Sequence, residues 1–438
     1  MTDYIGPLAD QIQEQWLRSS IFWYLDGDTG KNSDPVPDRK LLNALLETAF
    51  LASLTYDERR PTRFSVILWP LDESDAGPGP VHIKLARSLP FDPAQVRKLA
   101  PATTPYSAII GVEAVEDDPM TPLRIWGLVD IGISWTGLLD RERNSAIIPP
   151  NYLMVSSSAP GHLHVSRGGY TIATLRDGSI VTGNASDVFI EGPIGEFFND
   201  ARDECYRQAR LELETENPDA GENRWPQQTY LHAVQRVLLG IEAQQHGGSL
   251  LLIPNSQRDD TATWGPAVSV KYSIDDSRIW KFLIKDLVTS RKYDALSSRL
   301  WSHDDVSRGE RIGFTESNLL RQEVADHIAG LVSFAASLSA VDGAILMTDQ
   351  FEIIGFGAEV IASAPEVQSV RLAEDPQGIK GHVVPIESFG TRHRAVFRFC
   401  WTLPQSIAFV VSFDGGVRAV RRIGDVVVVW PEVLAERH

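Results

Sequence analysis

Cysteine is almost missing from this chain: its 438 residues include only Cys205 and Cys400. Two thiols so far apart, with no Cys-x-x-Cys or Cys/His spacing, exclude a disulfide framework and a structural zinc site, and they suit a reducing cytoplasm. Basic residues are in deficit as well. A formal net charge of −17 repels a nucleic-acid backbone, so DNA and RNA are set aside as main partners. Long apolar runs are also lacking. The most helix-like uncharged run, Ile328 to Val341, has 14 residues against the roughly 20 that cross a bilayer, so no membrane partner is expected. Asp3, Asp10 and Glu14 break up the apolar amino terminus, which is wrong for a secretory leader. No internal repeat or low-complexity tract is found.

What remains is the composition of an ordinary globular protein. With 43% hydrophobic residues, the chain can bury substantial cores in two or three domains. Residues 1–38 begin as an amphipathic helix and then pass into a linker through Asp26-Gly27-Asp28-Thr29-Gly30-Lys31. Gly30-Lys31 lacks the glycine arc and the following Ser/Thr of a phosphate loop. From Leu41 to Leu54 the apolar spacing predicts a helix, and Phe64 to Trp69 then reads as a strand. Further strands are expected at Ala108 to Val112, Arg124 to Ile131, Tyr152 to Val155, His162 to Val165, Tyr170 to Leu175 and Gly178 to Val181. An α+β domain over 39–215 accounts for this series. His162 and His164 alternate on one strand with no third ligand nearby in sequence, so they read as strand-surface residues. Trp126, Trp135, Trp264 and Trp280 read as core or interface residues. Glu58-Arg59-Arg60 reads as a solvated entry to a strand.

Glu191 to Glu214 is expected to be helical, and Asn217 to Asn223 is the clearest linker by composition. A second domain then runs over 224–438. It opens with a helix on Leu231, Val234, Val237, Leu238 and Ile241, followed by the strand Leu250 to Ile253. Residues at about 255–315 read as an insertion of charged helical pieces. Val324, Ile328, Leu331, Ala335 and Leu338 then line one face of a helix with Thr315 as its start cap, and that helix delivers the chain to Asp342. Strands follow at Gly343 to Met347, Phe351 to Gly355, Val384 to Ile386, Ala408 to Phe413 and Val426 to Trp430. The fold class expected for the chain is mixed α/β.

Two short motifs in this domain are not needed by an ordinary core. In Gly390-Thr391-Arg392-His393-Arg394-Ala395, a hydroxyl and two guanidiniums stand together as donors for phosphate oxygens. Upstream, Asp342-Gly343-Ala344 offers a hard carboxylate suited to the divalent metal that phosphates bring. Alone, Asp-Gly is usually a turn and Arg-His-Arg a solvated charge cluster. In an extended segment Arg392 and Arg394 would share one face and His393 the other; a helical or turned segment would change this.

The two motifs closely resemble the signature of the diadenylate cyclase family, the nucleotide-binding domain first associated with DNA-integrity-scanning proteins. The likeness extends to Gly247-Gly248-Ser249-Leu250-Leu251-Leu252-Ile253-Pro254, which looks like the family's first core strand. Ser412-Phe413-Asp414-Gly415 stands where better-known members show Ser-Glu-Glu-Thr. What the resemblance implies is a mixed sheet flanked by helices that condenses two ATP molecules into cyclic di-AMP with release of pyrophosphate. It further implies Mg²⁺ or Mn²⁺ held by Asp342 and Asp414, and a homodimer with active sites face to face. Gly343, Ala344, Gly390, Thr391 and Ser412 would lie at the nucleotide, Phe356-Gly357 at the nucleobase, and Arg392, His393 and Arg394 at the reacting phosphates. Because Phe413 replaces one acid, a catalytically silent nucleotide sensor is the alternative. The N-terminal half, chiefly Leu45 to Phe64, resembles the sensor domains found joined to such cyclase-like domains, which implies an unidentified small-molecule ligand there.

Overall fold

The computed structural model describes residues 4–16, 36–70, 81–103, 108–115, 122–130, 152–167, 170–176, 178–182, 188–216, 229–244, 246–302, 307–412, 416–431 and 433–434. Two compact units divide between Ala185 and Ser186.

The N-terminal unit contains α1 (Ile5–Gln15), α2 (Arg39–Ser53) and the two-stranded ribbon of β1 (Tyr56–Asp57) and β2 (Arg60–Pro61). Then come β3 (Phe64–Leu68), β4 (Val81–Pro90), α3 (Pro93–Leu99), β5 (Ala108–Ala114) and β6 (Leu123–Asp130). Four further strands, β7 (Leu153–Ser157), β8 (Leu163–Arg167), β9 (Tyr170–Arg176) and β10 (Ser179–Thr182), complete an eight-stranded sheet ordered β10-β9-β8-β7-β3-β5-β6-β4. Alternate residues send Val66, Leu68, Ile110 and Val155 to the face covered by the helices, and Ile67, Trp69, Ile109 and Met154 to the other. The expected strands are all present. The linker expected after the leading helix lies mostly outside the described residues, whereas α1 itself packs into this core rather than standing apart. Leu8, Ala9 and Ile12 are fully buried, Arg39 forms an ion pair with Asp10, and its Nη2 donates to the Gly6 carbonyl (2.7 Å).

His164 is buried rather than on the strand surface, with Nδ1 3.1 Å from the Thr174 hydroxyl. Glu58 and Arg59 form the tip between β1 and β2, both with positive φ. Trp126 is core, as expected, and its indole N–H donates to the Trp69 carbonyl at 2.9 Å. Its ring lies so close to β5 that a Cβ on Gly111 would come within 2.3 Å of it. Trp69 also meets His82 and Tyr152, an aromatic cluster that composition does not announce. Trp135 lies outside the described residues.

The C-terminal unit begins ahead of residues 217–223, which composition reads as a linker and which lie outside the described residues. Its first helix, α4 (Gly192–Glu216), supplies Ile194, Phe198 and Ala201 to the same core as Phe409 and Leu250, so packing assigns the helix to this side. Next come α5 (Thr229–Ala243), β11 (Gly248–Ile253), the single turn α6 (Thr261–Trp264), β12 (Val268–Ser269), β13 (Tyr272–Asp276), α7 (Arg278–Ser302) and α8 (Arg308–Ser337). After these the chain forms β14 (Ala344–Thr348), β15 (Ile353–Val360), β16 (Ser369–Ala373), β17 (Gly381–Pro385), α9 (Thr391–Thr402), β18 (Ile407–Val411), β19 (Val417–Ile423) and β20 (Val426–Trp430). The sheet runs β12-β15-β14-β11-β18-β19-β20-β16-β17, and β13 also pairs with β15. It is mixed: β11 is parallel to β14 and antiparallel to β18.

Both faces of this sheet are covered. Leu250, Leu252, Ile345 and Phe409 pack under α4, α5, α7 and α8; Leu251, Leu346, Ala408 and Val410 pack under α9. The mixed α/β class read from the sequence is therefore the observed one. Two local expectations change. Helix α8 begins at Ser307, whose hydroxyl accepts from the Glu310 N–H while Glu310 accepts from the Ser307 N–H; Thr315 lies inside the helix and donates to the Arg311 carbonyl. The stretch at 255–315 is also more than an appendage, since β12 and β13 extend the sheet and Ile279, Leu283 and Leu287 of α7 are core. Among the described residues, no helix is long and apolar enough to cross a membrane.

Candidate functional site

Strand register brings the two sequence motifs to one end of the C-terminal sheet. Asp342 and Gly343 immediately precede β14. Because Leu250 lies opposite Ile345 and Gly248 opposite Val411, the start of β14 shares an end of the sheet with the start of β11 and the end of β18. The Ser412–Gly416 connection between β18 and β19 is at that end too, closed by the Ser412 N–H on the Gly416 carbonyl (3.2 Å). Glu242, near the end of α5, accepts from the Gly416 N–H at 3.0 Å. Arg418, opposite Val410, belongs to the same row, and its Nη1 lies 2.8 Å from His393 Nε2. Thus His393 and the start of α9 stand over the end where Asp342 emerges.

The Arg-His-Arg segment is helical, which decides its geometry. In α9 the buried Val396, Phe397 and Cys400 mark the sheet-facing side, and His393 lies three, four and seven residues before them. His393 therefore faces inward, with its ring centroid 5.7 Å from Phe389 and 6.3 Å from Phe397. Arg392 and Arg394 do not share a face as an extended strand would have them do: Arg392 is exposed and Arg394 half-buried. Gly390 is the N-cap and no side chain caps the helix. The first intrahelical bond runs from the Arg394 N–H to the Gly390 carbonyl (3.1 Å), so earlier N–H groups have no helical acceptor. Such an end, positive by dipole and rich in donors, is suited to an anion.

The site's glycines have different reasons. Gly343 has φ +118°, and a Cβ there would come within 2.6 Å of the Gly357 backbone. Its freedom therefore serves the approach of β14 to β15, where the sequence reading assigned it to the nucleotide. Gly357, at φ +61°, faces the Asp342 carbonyl and Tyr272. Gly390 has an ordinary φ of −65°, and a Cβ there would meet nothing within 4 Å. Its lack of a side chain is not required by its own fold.

Asp342 is exposed and Ala344 is buried beneath α9. Phe356 goes elsewhere. A register irregularity between β14 and β15 around Gly355 changes the alternation, so Phe356 packs on the face opposite α9, stacked on Tyr272 at 5.0 Å. It does not join the start of α9. Asp414 lies outside the described residues, and among those described no group of three His, Cys, Asp or Glu side chains could hold a metal. A lone exposed carboxylate still fits Mg²⁺ or Mn²⁺ as these ions bind with nucleotides, through one or two carboxylates, phosphate oxygens and water. Ser249 Oγ and Arg394 Nε are buried without a hydrogen-bond partner, and Ser249 lies on the α9 face of β11. Sequence reading missed Arg418 and Glu242 because single residues on a strand and a helix carry no local pattern.

Asp349, at the opposite end of β14 from Asp342, has a carboxyl perturbed upward by burial. Burial pushes its pKa up to about 6, although its Oδ1 accepts from the Asn255 N–H at 2.8 Å. It borders a small, mostly apolar cavity lined by Leu250, Leu252, Met347 and Phe351. This arrangement closes a turn and offers no open face to a ligand.

A family model described as the probable sensor domain DACNV matches residues 31–130. The N-terminal unit thus carries a sensor-type domain, and the match ends well before Asp342 and Gly390. No curated protein and no solved structure matches the chain.

Proposed function

We propose that the C-terminal unit is a diadenylate cyclase-like nucleotidyltransferase and that the N-terminal sensor-type domain regulates it through an unidentified small molecule. The observation that carries this reading is the uncapped start of α9, with Thr391, Arg392, His393 and Arg394, over the sheet end from which Asp342 emerges. The resemblance of both motifs to the cyclase signature supplies the chemistry.

In this reading two chains meet face to face, each holding one ATP. The 3′-hydroxyl oxygen of each ribose attacks the other molecule's α-phosphorus, the bond to the bridging oxygen breaks, and pyrophosphate leaves from each. Thr391, Arg392, Arg394 and the N–H groups at the start of α9 bind phosphate oxygens and orient the α-phosphate for in-line attack. Asp342 would hold Mg²⁺ or Mn²⁺, which when bound neutralises triphosphate charge. Regulation follows if the sensor ligand binds differently to the arrangements in which the half-sites meet and part.

A silent nucleotide sensor is the second reading, favoured by the absence of a multi-acid metal cluster among the described residues. Incubating the full chain and its Asp342→Asn variant with ATP and Mg²⁺ or Mn²⁺, with products identified by mass spectrometry, separates the two. Cyclic di-AMP is expected from the parent, with at least a roughly hundredfold loss in the variant. Saturable ATP binding without product would support the sensor; no ATP binding would reject both.

A further inference from the structure

Several arginines of this acidic chain are held by carboxylates. Arg207 pairs with Glu204, Arg278 with Asp276, and Arg258 with Asp259, Asp275 and Glu352. Three arginines near the start of α9 are not among them. Among the described residues no carboxylate pairs with Arg392, Arg394 or Arg418. Arg418 is half-buried on β19 and directs Nη1 to His393 Nε2 at 2.8 Å.

That contact has one chemical meaning. A guanidinium has only donors and keeps its charge, so Nε2 must accept and cannot carry a proton. With Nε2 as the acceptor, the ring proton is assigned to Nδ1. An imidazolium would set N–H against N–H and charge against charge. Phe389 and Phe397 flank the ring, and the buried, unpartnered Ser249 hydroxyl lies on the same sheet face, with Val410 between Ser249 and Arg418 in the register.

We propose that Arg418 is a positioning residue of the nucleotide site: it holds His393 in the neutral Nδ1-protonated form and fixes the start of α9 on the sheet. Phosphate charge is thereby met by guanidiniums and helix N–H groups, without a contribution from imidazolium. The ligand rests on the nucleotide reading above; the tautomer does not.

The test uses the ¹⁵N-labelled full chain and long-range ¹H–¹⁵N imidazole spectra, with His393 identified by its absence in His393→Gln. In the parent, Nδ1 should be protonated and Nε2 bare. Arg418→Met should release Nε2 from its role as acceptor, so that the Nδ1-protonated form loses its excess, and weaken ATP binding roughly ten- to a hundredfold. Arg418→Lys, which keeps a charged donor, should restore the tautomer and most of the affinity. A parent His393 that is doubly protonated, or protonated on Nε2, overturns the proposal even if Arg418→Met fails to fold. So does a folded Arg418→Met chain with ATP affinity unchanged. If the parent has the expected spectrum but binds no ATP, the nucleotide reading fails, and with it the positioning role; the Arg418–His393 contact then remains as packing.

Discussion

Two helices of the C-terminal unit begin in opposite ways. Helix α8 is closed by its own chain, Ser307 and Glu310 each satisfying the other's backbone N–H. Helix α9 begins at a bare glycine, with Arg392, Arg394 and the Arg418-bound His393 around it. A closed start serves stability alone. An open start in an acidic protein leaves donors and positive charge in place for an anionic ligand. The two glycines of the site repeat the contrast, since the fold demands Gly343 and does not demand Gly390.

Substitution at Gly343 should give the largest effect. Gly343→Ala combines a positive φ with a backbone clash, and a loss on the order of 3 kcal/mol or more is expected in denaturant unfolding of the full chain. A near-neutral result would remove the distinction between the two glycines.

Next comes the other end of β14. The Asp349 pKa rises from 3.8 to about 6 on folding, so the folded state holds its proton more tightly. The associated stability is fully present below about pH 4 and is lost as pH rises through about 6, by roughly 2–3 kcal/mol. Asp349→Asn should flatten that part of the stability–pH curve while leaving ATP binding at the α9 end intact. Lost ATP binding would relocate the site.

Ser307→Ala should cost about 1 kcal/mol through the lost cap, with no change in nucleotide affinity. Gly390→Asp should do the reverse. Its carboxylate can cap α9 and raise stability by a few tenths of a kcal/mol, while occupying and repelling the place of a phosphate.

Alternation and period made most of the fold legible in the sequence: Phe64 to Trp69, Leu250 to Ile253 and Val426 to Trp430 appear as strands because one or both faces are buried. Packing between distant segments was not legible. Nothing local in Gly192–Glu216 says that it joins the C-terminal core, and α1 enters the N-terminal core through α2 and β9. The motifs at Asp342 and Gly390 could be found by residue type, but the helical state of Thr391-Arg392-His393-Arg394 depended on Val396, Phe397 and Cys400 packing on the sheet. Ser307-x-x-Glu310 is legible as a cap, but the apolar period that marks the helix becomes regular only from Val324, which favours Thr315 as a start. Arg418, within Val417-Arg418-Ala419-Val420-Arg421-Arg422, acquires meaning only through its register with Val410.

The most direct measurement is calorimetric titration of ATP with Mg²⁺ into the full chain and into Gly390→Asp, with thermal unfolding of both as a control. The account predicts saturable binding to the parent, and a variant at least as stable that binds at least about tenfold more weakly. Equal binding by a folded variant, or no binding by the parent, would contradict a nucleotide site at the open start of α9.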